Sequence, residues 1–146
     1  MSCLGFLSPQ QRAALAASSR DDAAGAPLSS FASPPATVGK LRRLRALATS
    51  SDPTIRESAA LAYLAPPDVL HRLASDPVAS VRCCVARNDH ATPSLLRRLA
   101  ADPDPQVRGW VAANPAVPAD VHERLAGDAD PTVRAVLAWA DGWSSR

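Results

Sequence analysis

Two adjacent cysteines and a nearby histidine are the first residues in this chain whose chemistry suggests a site. Cys83 and Cys84 are followed six positions later by His90. Zinc sites usually take four ligands from spaced pairs, and the remaining histidines, His71 and His122, do not share a position in the pattern described below. Adjacent cysteines also rarely form a disulfide with each other, because the bridge geometry is strained. We therefore expect no metal site, no disulfide and no cofactor.

Catalytic groups are equally sparse. Asp102 and Asp104 are close in sequence, but each precedes a proline in the way that a helix-capping residue does. No serine, cysteine or threonine stands in a recognisable arrangement with histidine and aspartate, and there is no glycine-rich phosphate loop. The sequence predicts a protein that is not an enzyme.

Arginine is the charged residue with a regular arrangement, and it forms two rows. The first row, the ladder arginines, advances by 26 positions, and an aspartate stands four residues before three of its members and six before the other. We expect these acids to cap helices and to pair with the arginines inside the fold, although a row of anion-binding groups is the alternative. The ladder arginines are Arg56, Arg82, Arg108 and Arg134, and the preceding acids are Asp52, Asp76, Asp104 and Asp130.

The second row, the exposed arginine row, consists of Arg72, Arg98 and Arg124, again 26 positions apart. No carboxylate recurs in the same phase, so this row is predicted to face a partner with an acidic surface. The alternative is an ordinary solvated face, since Glu123, Asp68 and Asp120 dilute the positive charge. Arg97 is predicted to contribute to the same cationic stripe. The stripe also includes residues of the first repeat helix, namely Lys40, Arg42, Arg43 and Arg45.

These rows belong to an internal repeat that spans most of the chain. The dipeptide Leu-Ala begins at positions 47, 73, 99 and 125, and an Ile-Arg or Val-Arg dipeptide begins at positions 55, 81, 107 and 133. Two independent dipeptides therefore keep a 26-residue spacing, which is typical of solenoid proteins. We expect an all-α, right-handed α-solenoid of about four repeats, each with one α-helix, a proline-bearing break and a short α or 3₁₀ helix.

Residues 1–36 lie outside the repeat. Ser8, Pro9 and Gln11 indicate the start of a short helix, and residues 18–37 have the composition of a flexible linker. We therefore divide the chain into an N-terminal helix and linker, 1–36, and a repeat domain, 37–146.

The segment DPDPQVRGWVAANPAVPADVHERLA, from Asp102 to Ala126, resembles the leucine-rich repeat variant family, in which D-x-D-P-x-V-R is followed by V-A-x-N-x-x-x-P and L-x-x-L-A. The resemblance covers roughly residues 40–140. It implies a superhelix of alternating α and 3₁₀ helices, akin to HEAT and armadillo stacks. Some members carry an N-terminal iron–sulfur cluster held by several cysteines, but this chain has only Cys3 in that region, so the cluster is not expected here.

Asparagine and tryptophan complete the set of candidates. Asn88 and Asn114 end a helix in two repeats, where asparagine tolerates a left-handed backbone and bonds to the local chain. Trp110 is a candidate anchor for a partner. Trp139 and Trp143 are predicted either to cap the last repeat or to support self-association.

The net charge of +2 is too small to indicate nucleic-acid binding by itself. We therefore expect an adaptor or scaffold that binds another protein along the solenoid surface. The alternative is nucleic-acid binding through the cationic stripe. No apolar run is long enough to span a bilayer, no signal peptide is evident and the cysteines form no disulfide framework, so a cytoplasmic location and no membrane partner are expected.

Overall fold

The computed structural model describes residues 37–144, with side chains up to residue 142. Within this range the chain is entirely helical, so the prediction of an all-α fold is confirmed for these residues. The predicted N-terminal helix and linker, and the side chain of Trp143, lie outside the described residues. The helices are α1 (Val38–Leu47), α2 (Pro53–Ala60), α3 (Pro67–Leu73), α4 (Ala79–Arg87), α5 (Pro93–Leu99), α6 (Pro105–Ala112), α7 (Ala119–Ala126) and α8 (Pro131–Ser144).

Proline and a capping side chain together mark the start of four of the eight described helices, α2, α5, α6 and α8. The Asp52 carboxylate accepts the backbone N–H of Thr54 at 2.9 Å, and Pro53 occupies the first helical position of α2. Such a proline costs the helix nothing, because the N–H that it lacks would have no partner in the first turn. Helices α6 and α8 begin in the same way.

Helix α4 departs from this arrangement. Asp76 and Pro77 do not begin the helix, which starts two residues later at Ala79. Its N-cap residue is Val78, whose side chain makes no capping hydrogen bond. The helices that were predicted to be short α or 3₁₀ segments, α3, α5 and α7, are α-helical.

The even-numbered helices pack on one another in chain order, α2 on α4, α4 on α6 and α6 on α8. Each odd-numbered helix packs against the even-numbered helices next to it in sequence. This serial packing is consistent with a solenoid, in which a unit covers the apolar face of its neighbour.

The core contains the positions that the 26-residue spacing places in one phase. Leu73, Leu99 and Leu125 are buried, and so are Val81, Val107 and Val133. Ile55 shares the phase of these valines but is 38% exposed. Among the described residues, no buried polar side-chain atom lacks a hydrogen-bond partner.

None of the described helices combines the length and the apolar character that crossing a bilayer would require.

Candidate partner-binding surfaces

Three ladder arginines hold an aspartate that lies 20 residues further along the chain. Arg82 Nε donates to Asp102 Oδ2 at 2.7 Å, and Arg82 Nη2 donates to Oδ1 at 2.9 Å. Arg56 makes the same two bonds to Asp76, and Arg108 makes them to Asp128. In each pair the arginine side chain is 13–16% exposed and the aspartate side chain 5–8%.

In each of these three pairs, Nη1 of the arginine binds a backbone carbonyl oxygen. Arg82 Nη1 donates to the carbonyl oxygen of Asp76 at 2.8 Å, and Arg108 Nη1 donates to that of Asp102 at the same distance. One guanidinium therefore bridges the turn before its own helix and the turn before the next even-numbered helix. A bidentate pair of this kind fixes geometry as well as charge.

The predicted pairing was wrong for Asp52, Asp104 and Asp130, which cap helices as expected but form no ion pair with a ladder arginine. Asp76 does pair, but with Arg56 and not with Arg82. Asp52, Asp104 and Asp130 cap helices by accepting the backbone N–H two residues later, at 2.9, 2.8 and 2.7 Å. The ion pairs are instead made by Asp76, Asp102 and Asp128. A carboxylate that caps a helix N-terminus points along its own helix, whereas the acid two residues earlier lies in the turn that faces the preceding unit.

The ion pairs shift the pKa of both partners. The hydrogen bond from Arg108 holds the pKa of Asp128 below its ordinary value. Burial alone would raise the pKa of Asp102, but the hydrogen bonds from Arg82 and from the backbone N–H of Asp104 outweigh it, so this pKa is also lowered. The hydrogen bond to Asp102 raises the pKa of Arg82. These groups stay charged at neutral pH and act as structural groups.

The exposed arginine row is different, because no carboxylate of the described residues pairs with it. Arg72, Arg98 and Arg124 are all exposed and lie on α3, α5 and α7. The one hydrogen bond among their side chains is from Arg98 Nη2 to the Ser75 hydroxyl. The row therefore presents three guanidinium groups whose charge the described part of the chain does not neutralise.

Arg97 does not extend this row as a free charge, which corrects the prediction for it. Its Nε and Nη2 donate to the two carboxylate oxygens of Asp120 at 2.7 and 3.0 Å. Arg45 pairs in the same manner with Asp68. Sequence reasoning missed both pairs. Their common separation of 23 residues is a signal that could have found them, because each pair joins an odd-numbered helix to the next odd-numbered helix.

Trp110 lies on α6 and lines a groove between α6 and α8 with a volume of about 720 Å³. Val136 and Trp139 of α8 form the opposite wall. Trp110 is 42% exposed, and the Arg87 guanidinium carbon lies 4.5 Å from the centroid of its ring, within range of a cation–π interaction. The groove lies between even-numbered helices, whereas the exposed arginine row lies on odd-numbered ones.

Asn88 and Asn114 have a structural role that reaches further than expected. Asn114 Nδ2 donates to the carbonyl oxygen of Ala86 at 2.7 Å and to that of Asn88 at 3.3 Å, while its Oδ1 accepts the N–H of Ala116 at 2.8 Å. Asn88 makes the equivalent bonds to the end of α2. The expected left-handed backbone is absent at Asn88, where φ is −71° and ψ is 126°.

The described residues contain no group of three or more histidine, cysteine, aspartate and glutamate side chains arranged to hold a metal ion. Cys83 and Cys84 are buried free thiols, and burial raises the pKa of Cys83 to about 11. His90 instead packs edge-to-face on Tyr63, with ring centroids 4.8 Å apart.

Comparison with known proteins returned no matching family model, no matching curated protein and no matching solved structure.

Proposed function

We propose that this chain is a non-catalytic module that binds another protein through the exposed arginine row. Its helical part would be a right-handed α-solenoid of about four 26-residue units, of the leucine-rich repeat variant type. The observation that carries the proposal is that Arg72, Arg98 and Arg124 are exposed, lack a carboxylate partner among the described residues and recur at one position of three successive units. Arg42, Arg43, Arg87 and Arg134 also lack such a partner, but they do not recur in this way, and the remaining described arginines are paired.

The spacing of the row favours an extended acidic segment as its partner. The even-numbered helices pack directly on one another, and packed helices lie about 8–10 Å apart. Successive units are therefore displaced by roughly that distance, and the row, with one arginine in each unit, recurs at a similar interval. A polyproline II helix has three residues per turn and rises about 3.1 Å per residue, so every third residue returns to the same face after roughly 9 Å. Acidic residues at every third position of such a segment would meet successive arginines.

Trp110 is a second candidate contact for a larger partner. Large aromatic side chains dominate the energetics of many interfaces, and this ring forms one wall of an apolar groove. Because the groove and the exposed arginine row lie on different sets of helices, a partner that used both would have to wrap around the stack.

The direct test is fluorescence anisotropy with a labelled peptide of repeated Glu-Pro-Pro units. We expect wild type to bind it, and the combined variant Arg72→Glu, Arg98→Glu and Arg124→Glu to bind at least tenfold more weakly. The matched control changes the charge by the same amount on α1, through Lys40→Glu, Arg42→Glu and Arg43→Glu, and should retain most of the affinity. Equal losses in the two variants would mean that net charge, and not the row, determines binding.

A single-stranded oligonucleotide serves as the competing probe. Nucleic-acid binding predicts affinity that falls steeply with salt, because counterions are released when phosphates are neutralised. A pull-down from the native lysate with and without nuclease extends the comparison to physiological partners. Tighter binding of the oligonucleotide than of the peptide, or recovery that depends on nucleic acid, would favour the alternative function.

A further inference from the structure

The outer face of α8 differs from the corresponding face of every preceding even-numbered helix. Ala138 is exposed, whereas Ala60, Ala86 and Ala112, at 26-residue intervals before it, are at most 1% exposed. Ala135 is likewise exposed, whereas Cys83 and Gly109 are buried. Ala126, at the end of α7, is exposed, whereas its counterparts Ala48, Ala74 and Ala100 are buried.

Arg134 lies beside these alanines and repeats only half of the ladder arrangement. Its Nη1 donates to the carbonyl oxygens of Asp128 and Ala129, as Nη1 of Arg108 does to those of Asp102 and Pro103. Its Nε and Nη2 correspond to the edge that holds a carboxylate in the other ladder arginines. Among residues 37–142, no carboxylate pairs with that edge of Arg134.

Two carbonyl contacts thus orient the guanidinium, and no carboxylate of the described residues occupies its other edge. A planar fork held in this way is complementary to a single carboxylate, and little additional ordering is needed when the pair forms. The small side chains of Ala126, Ala135 and Ala138 allow a helix to approach closely next to it. We call Arg134 and these three alanines the α8 face.

We propose that the α8 face receives a helical unit of another protein that presents an aspartate to Arg134. The structure also indicates the local geometry of that aspartate. Asp76, Asp102 and Asp128 each accept, through Oδ1, the N–H of the residue two positions later, at 3.0, 2.9 and 2.9 Å. The partner's carboxylate would therefore come from a turn of this kind before a helix. This surface is separate from the exposed arginine row, and the proposal does not depend on the function of that row.

A second copy of this chain fits the α8 face poorly. In a head-to-tail stack of two copies, the residue opposite Arg134 would be Ser50, which occupies the repeat position of Asp76, Asp102 and Asp128. The Ser50 hydroxyl accepts the N–H of Asp52 at 3.2 Å, so it adopts the same turn without the charge. A head-to-tail contact that does not close generates a filament, and a serine at this position disfavours that outcome.

The complementary experiment restores the missing charge. Sedimentation velocity over a range of concentrations compares four proteins. They are wild type, Ser50→Asp, Ser50→Asn and the double variant Ser50→Asp with Arg134→Gln. We expect Ser50→Asp to self-associate at least tenfold more tightly than wild type or Ser50→Asn. Adding Arg134→Gln should abolish the gain. Wild-type self-association that Arg134→Gln leaves unchanged would overturn the proposal, because the face would then not need a carboxylate.

An extended variant tests whether the α8 face can bind a helical unit that is part of the same chain, separately from whether two chains associate. A duplicate of residues 119–144 is inserted directly after Ser144, so that the duplicate of Asp128 lies 20 positions beyond Arg134. We expect the melting temperature to rise by about 5 °C, and the gain to be lost when the duplicated aspartate is changed to alanine. If the extended variant gains stability while the Ser50→Asp variant stays monomeric, the α8 face accepts only a covalently linked unit. Docking between separate chains would then be refuted. If neither responds, the assignment of the α8 face is refuted as well.

Discussion

Arg82 and Asp102 form a bidentate ion pair across 20 residues of sequence, although Asp76 stands only six positions before the arginine. Arg82 also contacts Asp76, but through the backbone carbonyl and not the carboxylate. The Asp76 carboxylate is held by Arg56 of the preceding unit. Each pair therefore joins consecutive units, and its loss should destabilise the neighbouring unit as well as the helix that carries the arginine.

Breaking one buried pair should destabilise the fold markedly. Asp102→Ala removes the carboxylate and leaves the Arg82 guanidinium largely buried without its partner. Loss of one member of a buried pair typically costs about 3–5 kcal/mol, and we expect the free energy of unfolding to fall by about 3 kcal/mol. Urea denaturation followed by circular dichroism measures this change.

The Arg97–Asp120 pair supplies a matched control, because its geometry is the same but its side chains are 52% and 58% exposed. Asp120→Ala should unfold at nearly the same urea concentration as wild type, since exposed pairs contribute little. Equal effects of the two substitutions would show that burial does not distinguish the pairs.

Acid should weaken the fold through the same aspartates. Asp76, Asp102 and Asp128 have pKa values below the ordinary 3.8 in the folded protein, so the unfolded chain binds more protons as the pH falls. Their contribution is fully present above about pH 5 and is lost as the pH falls through the folded pKa values. Urea unfolding at pH 7, 5 and 3 should show most of the loss between the last two values.

Asp102→Asn tests the assignment of this pH dependence. The variant is less stable at neutral pH, but the difference between pH 5 and pH 3 should be smaller than in wild type, because one of the shifted carboxyl groups is gone. A variant with the wild-type difference would indicate that other carboxyl groups cause the acid sensitivity.

The sequence predicts the helices and the core well, and the side-chain partners less well. A 26-residue period places Val81, Val107 and Val133 in one phase, and all three are buried because a neighbouring unit covers them. Ile55 has the same phase but is 38% exposed, and among the described residues no even-numbered helix precedes α2. The period alone does not show whether a covering helix is present at a given unit. Nor does it show which of two nearby acids faces an arginine, because this depends on the direction of each turn.

Asn114 should be more important than a residue that only shapes its own turn. An aspartate takes the same turn readily, but it lacks the amide donor that reaches the carbonyl oxygens of Ala86 and Asn88. We expect Asn114→Ala to lower the free energy of unfolding by about 2 kcal/mol, and Asn114→Asp to lower it at least as much. Stability close to wild type in Asn114→Asp would mean that the turn alone matters.

Gly109 offers a stabilising substitution. It lies inside α6 and is buried, yet apart from the adjacent residues and the backbone of α6 itself, a Cβ at this position would meet no atom within 4 Å. Alanine is favoured over glycine in a helix interior by about 0.5–1 kcal/mol, so Gly109→Ala should raise the free energy of unfolding by that amount. Gly127→Ala, outside the body of α7, is the control and should give no comparable gain. A loss of stability in Gly109→Ala would show that the space beside α6 is too small for a methyl group.

Val107 and Ile55 share one phase of the repeat but differ in burial, and this allows the role of the stacked core to be tested. Val107 is fully buried on α6, a helix that packs against both α4 and α8, so Val107→Asp would place an unpaired charge in the apolar interior. We expect a loss of at least about 4 kcal/mol, which is most of the stability of a domain at the lower end of the usual range of about 5–15 kcal/mol. The melting temperature should therefore fall sharply. Ile55→Asp places the same charge where water can reach it, and its thermal unfolding measured by circular dichroism should stay much closer to that of wild type. If Val107→Asp melted like wild type, the assignment of this phase to the core would be wrong; if both variants unfolded, α2 would be covered to the same extent as α6.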